Sequence, residues 1–398
     1  MSKAAVPTKR LYFDDAYRMD FEASILERLT CLDHPAVVLD ATAFYPESGG
    51  QPWDLGTLGG VPVIKVVEEG DRIVHVLERD VPGGRAEGRI DAVRRFDHMQ
   101  QHSGQHILSQ AFIEVVQGET RSFHLGADVS TLEIGIPAIS KDDRDKVERR
   151  ANEVVFQDRD IRTFFVPRER IAEVPLRRPP QVEGTVRVVE VCGFDYSACG
   201  GTHVRRTGEI GLIKMIGWEK IRGNLRFVFV CGGRALADYR KKTDVTRELA
   251  ARFDGADQDI PGAVEKLSAE LKAARKRLKG FEEEAAAAEA RTILARSGGR
   301  VLTRVFENRS PDSLRALALN LIREGERVVL LAARGDTRAH LVLARSETIP
   351  LDLRTLVGRV APLLDGKGGG GPSLVEIAGR RDSDLDAVLA AAEAMLSF

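Results

Sequence analysis

Cysteine is scarce: Cys31, Cys192, Cys199 and Cys231 are the only four in 398 residues. That is too few for a disulfide scaffold in a chain this long, and it leaves reduced thiols free for metal binding or chemistry. Long apolar runs are missing too. No stretch approaches the ~20 apolar residues of a membrane-spanning helix, and the opening MSKAAVPTKRLYF lacks the apolar segment of a secretory signal. A soluble cytoplasmic protein with no membrane partner is expected. Neither sign of charge is in excess, with 59 Lys and Arg against 60 Asp and Glu, net −1. Global charge therefore says nothing of nucleic acid, and any such surface must be a local patch.

The length exceeds the usual single domain. The patterning is α+β overall and divides into four segments. Residues 1–90 alternate in short apolar stretches, such as Val61–Val67 and Ile73–Leu77, between Gly and Pro turns, which suits an N-terminal small β-barrel or curled sheet. Residues 91–240 mix a helix over 91–117 with further strands and a Ser140-capped helix. Residues 241–298 form a helical linker in which Val264, Leu267, Leu271, Ala274, Leu278 and Phe281 recur at threes and fours. Such a stripe fits either a hairpin packing on itself or a two-chain coiled coil. Residues 299–398 read as a compact α/β unit, with a Ser310-Pro311 helix start and strands over 327–333 and 339–345. A glycine loop, 365–372, and a closing helix over 384–396 complete it.

Histidine provides the first departure from a bland chain, because His98, His102 and His106 fall within nine residues. His102 and His106, four apart on the predicted helix, share one face. Far downstream comes Cys199-Gly-Gly-Thr-His203, whose glycines let thiolate and imidazole turn toward each other. Three nitrogens and one sulfur suit a single tetrahedral Zn2+ over hard ions. His98, one turn earlier, is either a neighbour of the site or polar surface. Four protein ligands are typical of structural zinc, whereas catalytic zinc keeps a position open; the spacing leaves both readings standing.

His102-Ser-Gly-Gln-His106 with Cys199-Gly-Gly-Thr-His203 resembles the editing domain of alanyl-tRNA synthetases, and more closely the free-standing alanyl-tRNA editing proteins of the AlaX type. Phe44–Pro52, Leu125–Ser130 and Thr207–Gly211 are similar to further family motifs in the same order, and the likeness runs from about residue 9 to about 235. The family often has glycine where Ser48 stands and threonine where Ser103 stands. Gly366–Pro372 resembles the DHHA1-type domain that closes alanyl-tRNA synthetases, and the helix before it resembles the linker of the long AlaX form. The resemblance implies a zinc-containing editing domain, a helical linker and a DHHA1-type C-terminal domain. It contains no aminoacylation domain, so no charging of tRNA is expected.

The activity so implied is aminoacyl-tRNA hydrolysis: removal of serine, or glycine, from tRNA(Ala). An alanine pocket rejects these two weakly, so a second site must clear the error. Gln51, Gln105 and Thr202 are the expected hydrogen-bonding residues beside the metal, and Asp195 is either an acceptor for a ligand histidine or a turn residue. For tRNA the expected contacts are Arg205, Arg206, Lys214, Lys220, Arg222 and Arg226, with Arg177 and Arg178 as a second patch and Lys367 in the glycine loop. The alternative is a tRNA-binding module with a purely structural zinc. A homodimer would form through the linker or the C-terminal domain.

Overall fold

The computed structural model describes residues 6–180, 184–335, 337–380 and 384–396. The chain divides into two compact units, Met1–Glu248 and Leu249–Phe398.

The first unit opens with β1 (Lys9–Arg10) and the short helix α1 (Leu11–Asp14). Then follow β2 (Asp20–Cys31), β3 (His34–Leu39), β4 (Ala41–Thr42), β5 (Gly56–Leu58), β6 (Val61–Glu69), β7 (Arg72–Leu77) and β8 (Arg85–Ile90). β1 lies parallel to β4. The other six strands pair in the ring β2-β3-β7-β6-β5-β8, closed by β8 on β2. Alternation decides what faces inward: β8 buries Ala86, Gly88 and Ile90 and exposes Arg85, Glu87 and Arg89. Phe21, Leu39, Phe44, Leu58, Val66 and Leu77 fill the barrel.

The chain then changes period. Helix α2 (Ala92–Val116) starts where the Asp91 carboxylate accepts the Val93 and Arg94 amides, and ends at Gln117 in the left-handed region. The strands β9 (Thr120–Leu125) and β10 (Ser130–Ile134), helix α3 (Lys141–Phe156) and strands β11 (Ile161–Val166), β12 (Val186–Val191) and β13 (Asp195–Ala198) come next. The hairpin β14 (Ile213–Ile221) and β15 (Asn224–Cys231) and the helix α4 (Gly232–Arg252) complete the series. Two antiparallel sheets result, β14-β15-β10-β9 and β11-β12-β13. A core of Met99, Ile107, Leu108, Phe112, Leu132, Val154, Phe227 and Phe229 joins them to α2 and α3.

Barrel and α2 meet at a buried ion pair. Arg95, in the first turns of α2, is fully buried and donates from Nε to both Asp54 carboxylate oxygens at 3.1 and 3.0 Å. A second guanidinium nitrogen also reaches the carboxylate. Asp54 further accepts the Tyr45 amide at 2.7 Å, and Arg95 donates to the Ala16 and Ala43 carbonyls. The loop 43–54 is thus clasped at both ends.

In the second unit α5 (Ile260–Arg296) precedes β16 (Val301–Glu307), α6 (Pro311–Arg323), β17 (Val328–Arg334), β18 (Arg338–Arg345), α7 (Arg354–Val360), β19 (Lys367–Gly371), β20 (Leu374–Arg380) and α8 (Leu385–Ala394). The sheet order is β16-β17-β18-β20-β19, with β16 parallel to β17 and the rest antiparallel. Two sequence expectations change here. The glycine stretch is the edge strand β19, because pairing with β20 uses only backbone groups, which glycine supplies as well as any residue. The α5 stripe does not pack on its own unit: Val264, Leu267, Leu271, Leu278 and Phe281 are exposed, and only Ala286, Ala290 and Ile293 enter a core, against α6.

Breaking a buried pair leaves one charge unpaired, at a cost of about 3–5 kcal/mol. Asp54→Ala is therefore expected to lower the urea midpoint of the first unit strongly, whereas Asp20→Ala, on a solvent-facing pair, should move it by less than about 1 kcal/mol. Equal midpoints in the two variants would contradict a structural role for the clasp.

Candidate metal centre

Helix α2 is unusual in what it buries. Across 98–109 it inters His98, Gln101, His102, Ser103, Gln105, His106 and Ser109, all at most 3% exposed. Polar groups enter an interior only with partners, so each partner is informative. Gln101 donates to the Cys231 carbonyl (3.1 Å) and accepts the Cys231 amide (2.9 Å), fixing α2 against the end of β15. Gly104 completes that contact, since a Cβ there would stand 2.3 Å from the Cys231 sulfur.

The other half of the centre is the loop after β13. Its backbone is held from β12: the Cys199 amide donates to the Arg187 carbonyl at 3.0 Å. The Arg187 side chain donates through Nη1 to the carbonyls of Cys199 (2.8 Å) and Gly201 (2.9 Å). Gly201 has no room for a side chain, because its Cβ would fall 2.2 Å from His102 Cε1 and 2.9 Å from Gln51 Oε1.

So constrained, His102, His106, Cys199 and His203 bring one ligand atom each to within 4.8 Å of one another. Cys199 Sγ lies 3.4 Å from His102 Nε2 and 3.3 Å from His203 Nε2. Tetrahedral zinc with bonds of ~2.0–2.3 Å separates its ligand atoms by about 3.3–3.6 Å, so the two Cys199 spacings fit the ion, while the set as a whole, spread over 4.8 Å, must draw in to hold it. The far side of each ring fits as well. His102 Nδ1 is 2.8 Å from Gln51 Oε1, His203 Nδ1 is 3.1 Å from Ser103 Oγ, and His106 Nδ1 is 3.4 Å from Asp195 Oδ2. The Gln51 amide oxygen, an acceptor on His102 Nδ1, selects the tautomer whose Nε2 lone pair faces inward, whereas His106 Nδ1 lies near the Asp195 carboxylate without a hydrogen bond to it.

Electrostatics agree at Cys199 and His203, although against the effect of burial Asp195 and Cys199 raise His106 above its ordinary value. Burial opposes ionisation of the Cys199 thiol, yet the imidazoles of His102 and His203 hold its pKa well below the ordinary value. Burial, reinforced by the charge of His102, pushes His203 down to about 3, so it is neutral at pH 7. Ligation requires both states.

The expected hydrogen-bonding residues separate. Gln51 and Thr202 form one unit, in which Gln51 Nε2 donates to Thr202 Oγ1 (2.8 Å) and the Thr202 amide donates to Gln51 Oε1 (3.1 Å). Gln105 makes no hydrogen bond to any of the four ligands; its amide runs along the helix to Ser109 Oγ at 2.7 Å. Asp195 is no exposed turn residue. It is 2% exposed and accepts from Ser197 Oγ (2.9 Å). Arg177 leaves the expected RNA patch for the interior: it donates to the His106 carbonyl at 2.9 Å and stands 3.3 Å from Asp195. His98 is buried beside Asp54, Asp97 and Arg234 rather than exposed; burial, aided by Arg94, lowers it to about 4. Sequence reasoning missed Ser103 and Arg187 as supports of the site. The one available signal for Arg187 was a cation inside the apolar strand Val186-Arg187-Val188-Val189.

Of the basic patch, Arg205 pairs with Asp15, Arg206 with Asp158 and Asp160, Lys214 with Glu148, and Arg226 with Glu219. Lys220 and Arg222, at the turn of the β14–β15 hairpin, are exposed and form no ion pair among the described residues. Lys367 is exposed on the edge strand β19.

Residues 186–229 match the model of the Threonyl and Alanyl tRNA synthetase second additional domain. The chain is 28% identical to the alanyl-tRNA editing protein AlaX-L of Pyrococcus horikoshii, over 92% of this chain and 93% of that protein. It is 32% identical to the alanine–tRNA ligase of Pyrococcus furiosus over 91% of this chain, but spans only 40% of that enzyme. Among solved structures, the C-Ala domain of Aquifex aeolicus alanyl-tRNA synthetase matches 23% of this chain and 87% of its own length, at 29% identity and a TM-score of 0.22. No described helix is long and apolar enough to cross a membrane. Along almost the whole of AlaX-L the chain is similar to an alanyl-tRNA editing protein, and it is similar to part of the alanine–tRNA ligases.

Proposed function

We propose that this chain is a hydrolase of mischarged tRNA(Ala), cleaving the ester that joins serine, and by the same pocket glycine, to the RNA. The observation that carries this reading is the convergence of His102, His106, Cys199 and His203 within 4.8 Å, in a chain that matches an alanyl-tRNA editing protein over 93% of its length. When bound, one Zn2+ supplies a concentrated positive charge that stabilises negative charge developing at an ester. The chain's own residues position. Gln51 with Thr202, Ser103, and Asp195 backed by Arg177 fix the three rings. Arg187 shapes the Cys199–His203 turn. Selectivity for serine over correctly attached alanine would come from polar groups that only a serine hydroxyl satisfies, which leaves glycine to be accepted only by its smaller size.

For the RNA we assign phosphate contacts to Arg205, Arg206, Lys214, Lys220, Arg222 and Arg226, and separately to Lys367. Lys220 and Arg222 are the cations that need not first leave a carboxylate. The homodimer rests on the exposed stripe of α5 and is read from the molar mass in solution.

A second reading, a tRNA-binding module with structural zinc, is favoured by the count of four protein ligands. Incubation with serylated, glycylated, alanylated and threonylated tRNA separates the two. The hydrolase reading expects rapid loss of serine, slower loss of glycine and retention of alanine, with Cys199→Ala reducing the serine rate at least about a hundredfold. Binding without turnover would favour the module instead.

Two substitutions address the positioning roles. Gln51→Ala should weaken zinc affinity about 10–100-fold in competition with a chromogenic chelator, while the far-ultraviolet circular dichroism stays unchanged. Gly201→Ala should lose zinc more completely, since its methyl would occupy the place of the His102 ring. Wild-type affinity in Gly201→Ala would show that the turn is not built as described.

A further inference from the structure

Helix α5 carries two faces. One enters the core of the second unit through Ala286, Ala290 and Ile293, against α6. The other is the stripe Val264, Leu267, Leu271, Ala274, Leu278 and Phe281, whose five large members are 46–60% exposed. Apolar side chains at alternating steps of three and four form the seam of a coiled coil. The same steps continue through Ala285, Ala288, Thr292 and Ala295, and these four are exposed as well. The seam thus runs from Val264 to Ala295, about 48 Å at ~1.5 Å per residue.

Two independent features of this seam decide what covers it. The first is volume. The seam is bulky before Phe281 and small after it. Two parallel copies would set bulk on bulk at one end and alanine on alanine at the other. Two antiparallel copies, with the two-fold axis between Lys279 and Gly280, pack large on small instead. Leu271 then meets Ala288 of the second copy, Leu267 meets Thr292 and Val264 meets Ala295. Leu278 and Phe281 meet at the centre.

The second feature is charge beside the seam. Glu270, Arg277, Glu284 and Arg291 line one edge, and Arg275 and Glu282 the other. All six are exposed and form no ion pair among the described residues. Lys279 and Glu283, away from the seam, pair with each other at 4.0 Å, and Glu289 is held by Arg309 at 2.8 Å. In an antiparallel pair each edge meets the same edge of its partner. On the axis that balances volume, Glu270 meets Arg291, Arg277 meets Glu284 and Arg275 meets Glu282, and symmetry makes each pair twice. A parallel pair would keep Glu270 with Arg275 and Arg277 with Glu282, but would set Glu284 against Glu289 and Arg291 against Arg296. An apolar seam edged by both signs in alternation suits a second copy of itself better than a polyanion.

We propose that α5 pairs with α5 of a second copy as an antiparallel, two-fold coiled coil in this register. The inference rests on the homodimer reading and goes beyond it by fixing orientation and contacts.

Sedimentation equilibrium on the zinc-loaded full chain measures the dimer Kd. Arg291→Glu sets a carboxylate against Glu270 of the other copy, twice, and should weaken the dimer about tenfold. Glu270→Arg should weaken it about as much from the other side. The two substitutions in one chain exchange the signs and should restore the parent Kd. A parallel dimer predicts the reverse, because there Arg291→Glu relieves a contact with Arg296 and tightens association, while the double variant brings cations together at 270 and 275. A dimer that Arg291→Glu leaves unchanged or tightens, or that the double variant fails to restore, overturns the antiparallel register and leaves the homodimer reading in place. A parent that stays monomeric overturns both.

Discussion

A single buried ion pair, Arg95 with Asp54, determines where the metal centre can form. The pair sits where barrel and helix meet, and its further bonds to Tyr45, Ala16 and Ala43 leave the intervening loop little freedom. Gln51 lies on that loop, three positions before Asp54, and so arrives at His102 and Thr202 with its amide already oriented. The charge is paired and its hydrogen bonds are satisfied, which is the condition under which a buried ion pair fixes one arrangement rather than merely costing desolvation. The barrel, remote from the ligands in sequence, thereby becomes part of the centre.

The centre itself reflects a trade between stability and chemistry. An ordinary amphipathic helix would present leucines where α2 presents His102, Ser103, Gln105 and His106. Partners recover part of the lost hydration: Gln51 of the loop after β4 for His102, the turn behind β13 for Ser103, and Ser109 of α2 itself for Gln105, while Gln105 Oε1 and His106 Nδ1 form no hydrogen bond. The same bonds that offset burial orient the imidazoles. Selection for a folded helix and for aligned ligands therefore acts on the same residues.

The ligand set was legible because it depends on short-range geometry. A four-residue helical step and a glycine turn are local facts, and His102, His106, Cys199 and His203 follow from them. The boundaries of α2, the Ser140 and Ser310 caps and two of the five strands of the second unit, β17 and β18, were readable for the same reason. What escaped was long-range. Nothing near Arg177 announces that it will be interred behind Asp195, and two adjacent arginines before two prolines read naturally as surface. The glycines of β19 looked like a loop because propensity is local, whereas a strand at a sheet edge is held by its neighbour. Gln105 stands beside the ligands in sequence; its amide nitrogen turns to Ser109 and its oxygen is buried without a hydrogen bond.

The separation of the two halves of the centre also matters before the protein is finished. His102 and Cys199 are 97 residues apart. At ribosomal rates of about 5–20 residues per second, α2 leaves the ribosome roughly 5–20 s before the thiolate that completes its set. Over that interval the helix can pack on the barrel and on the strands and helix α3 that follow it, while the metal loop after β13 is still missing. The clasp at Asp54 can form early, because barrel and helix are then both made. The ligands on the helix are therefore ready before the loop that completes the set, and the clasp to the barrel is one of the contacts that orient them for it.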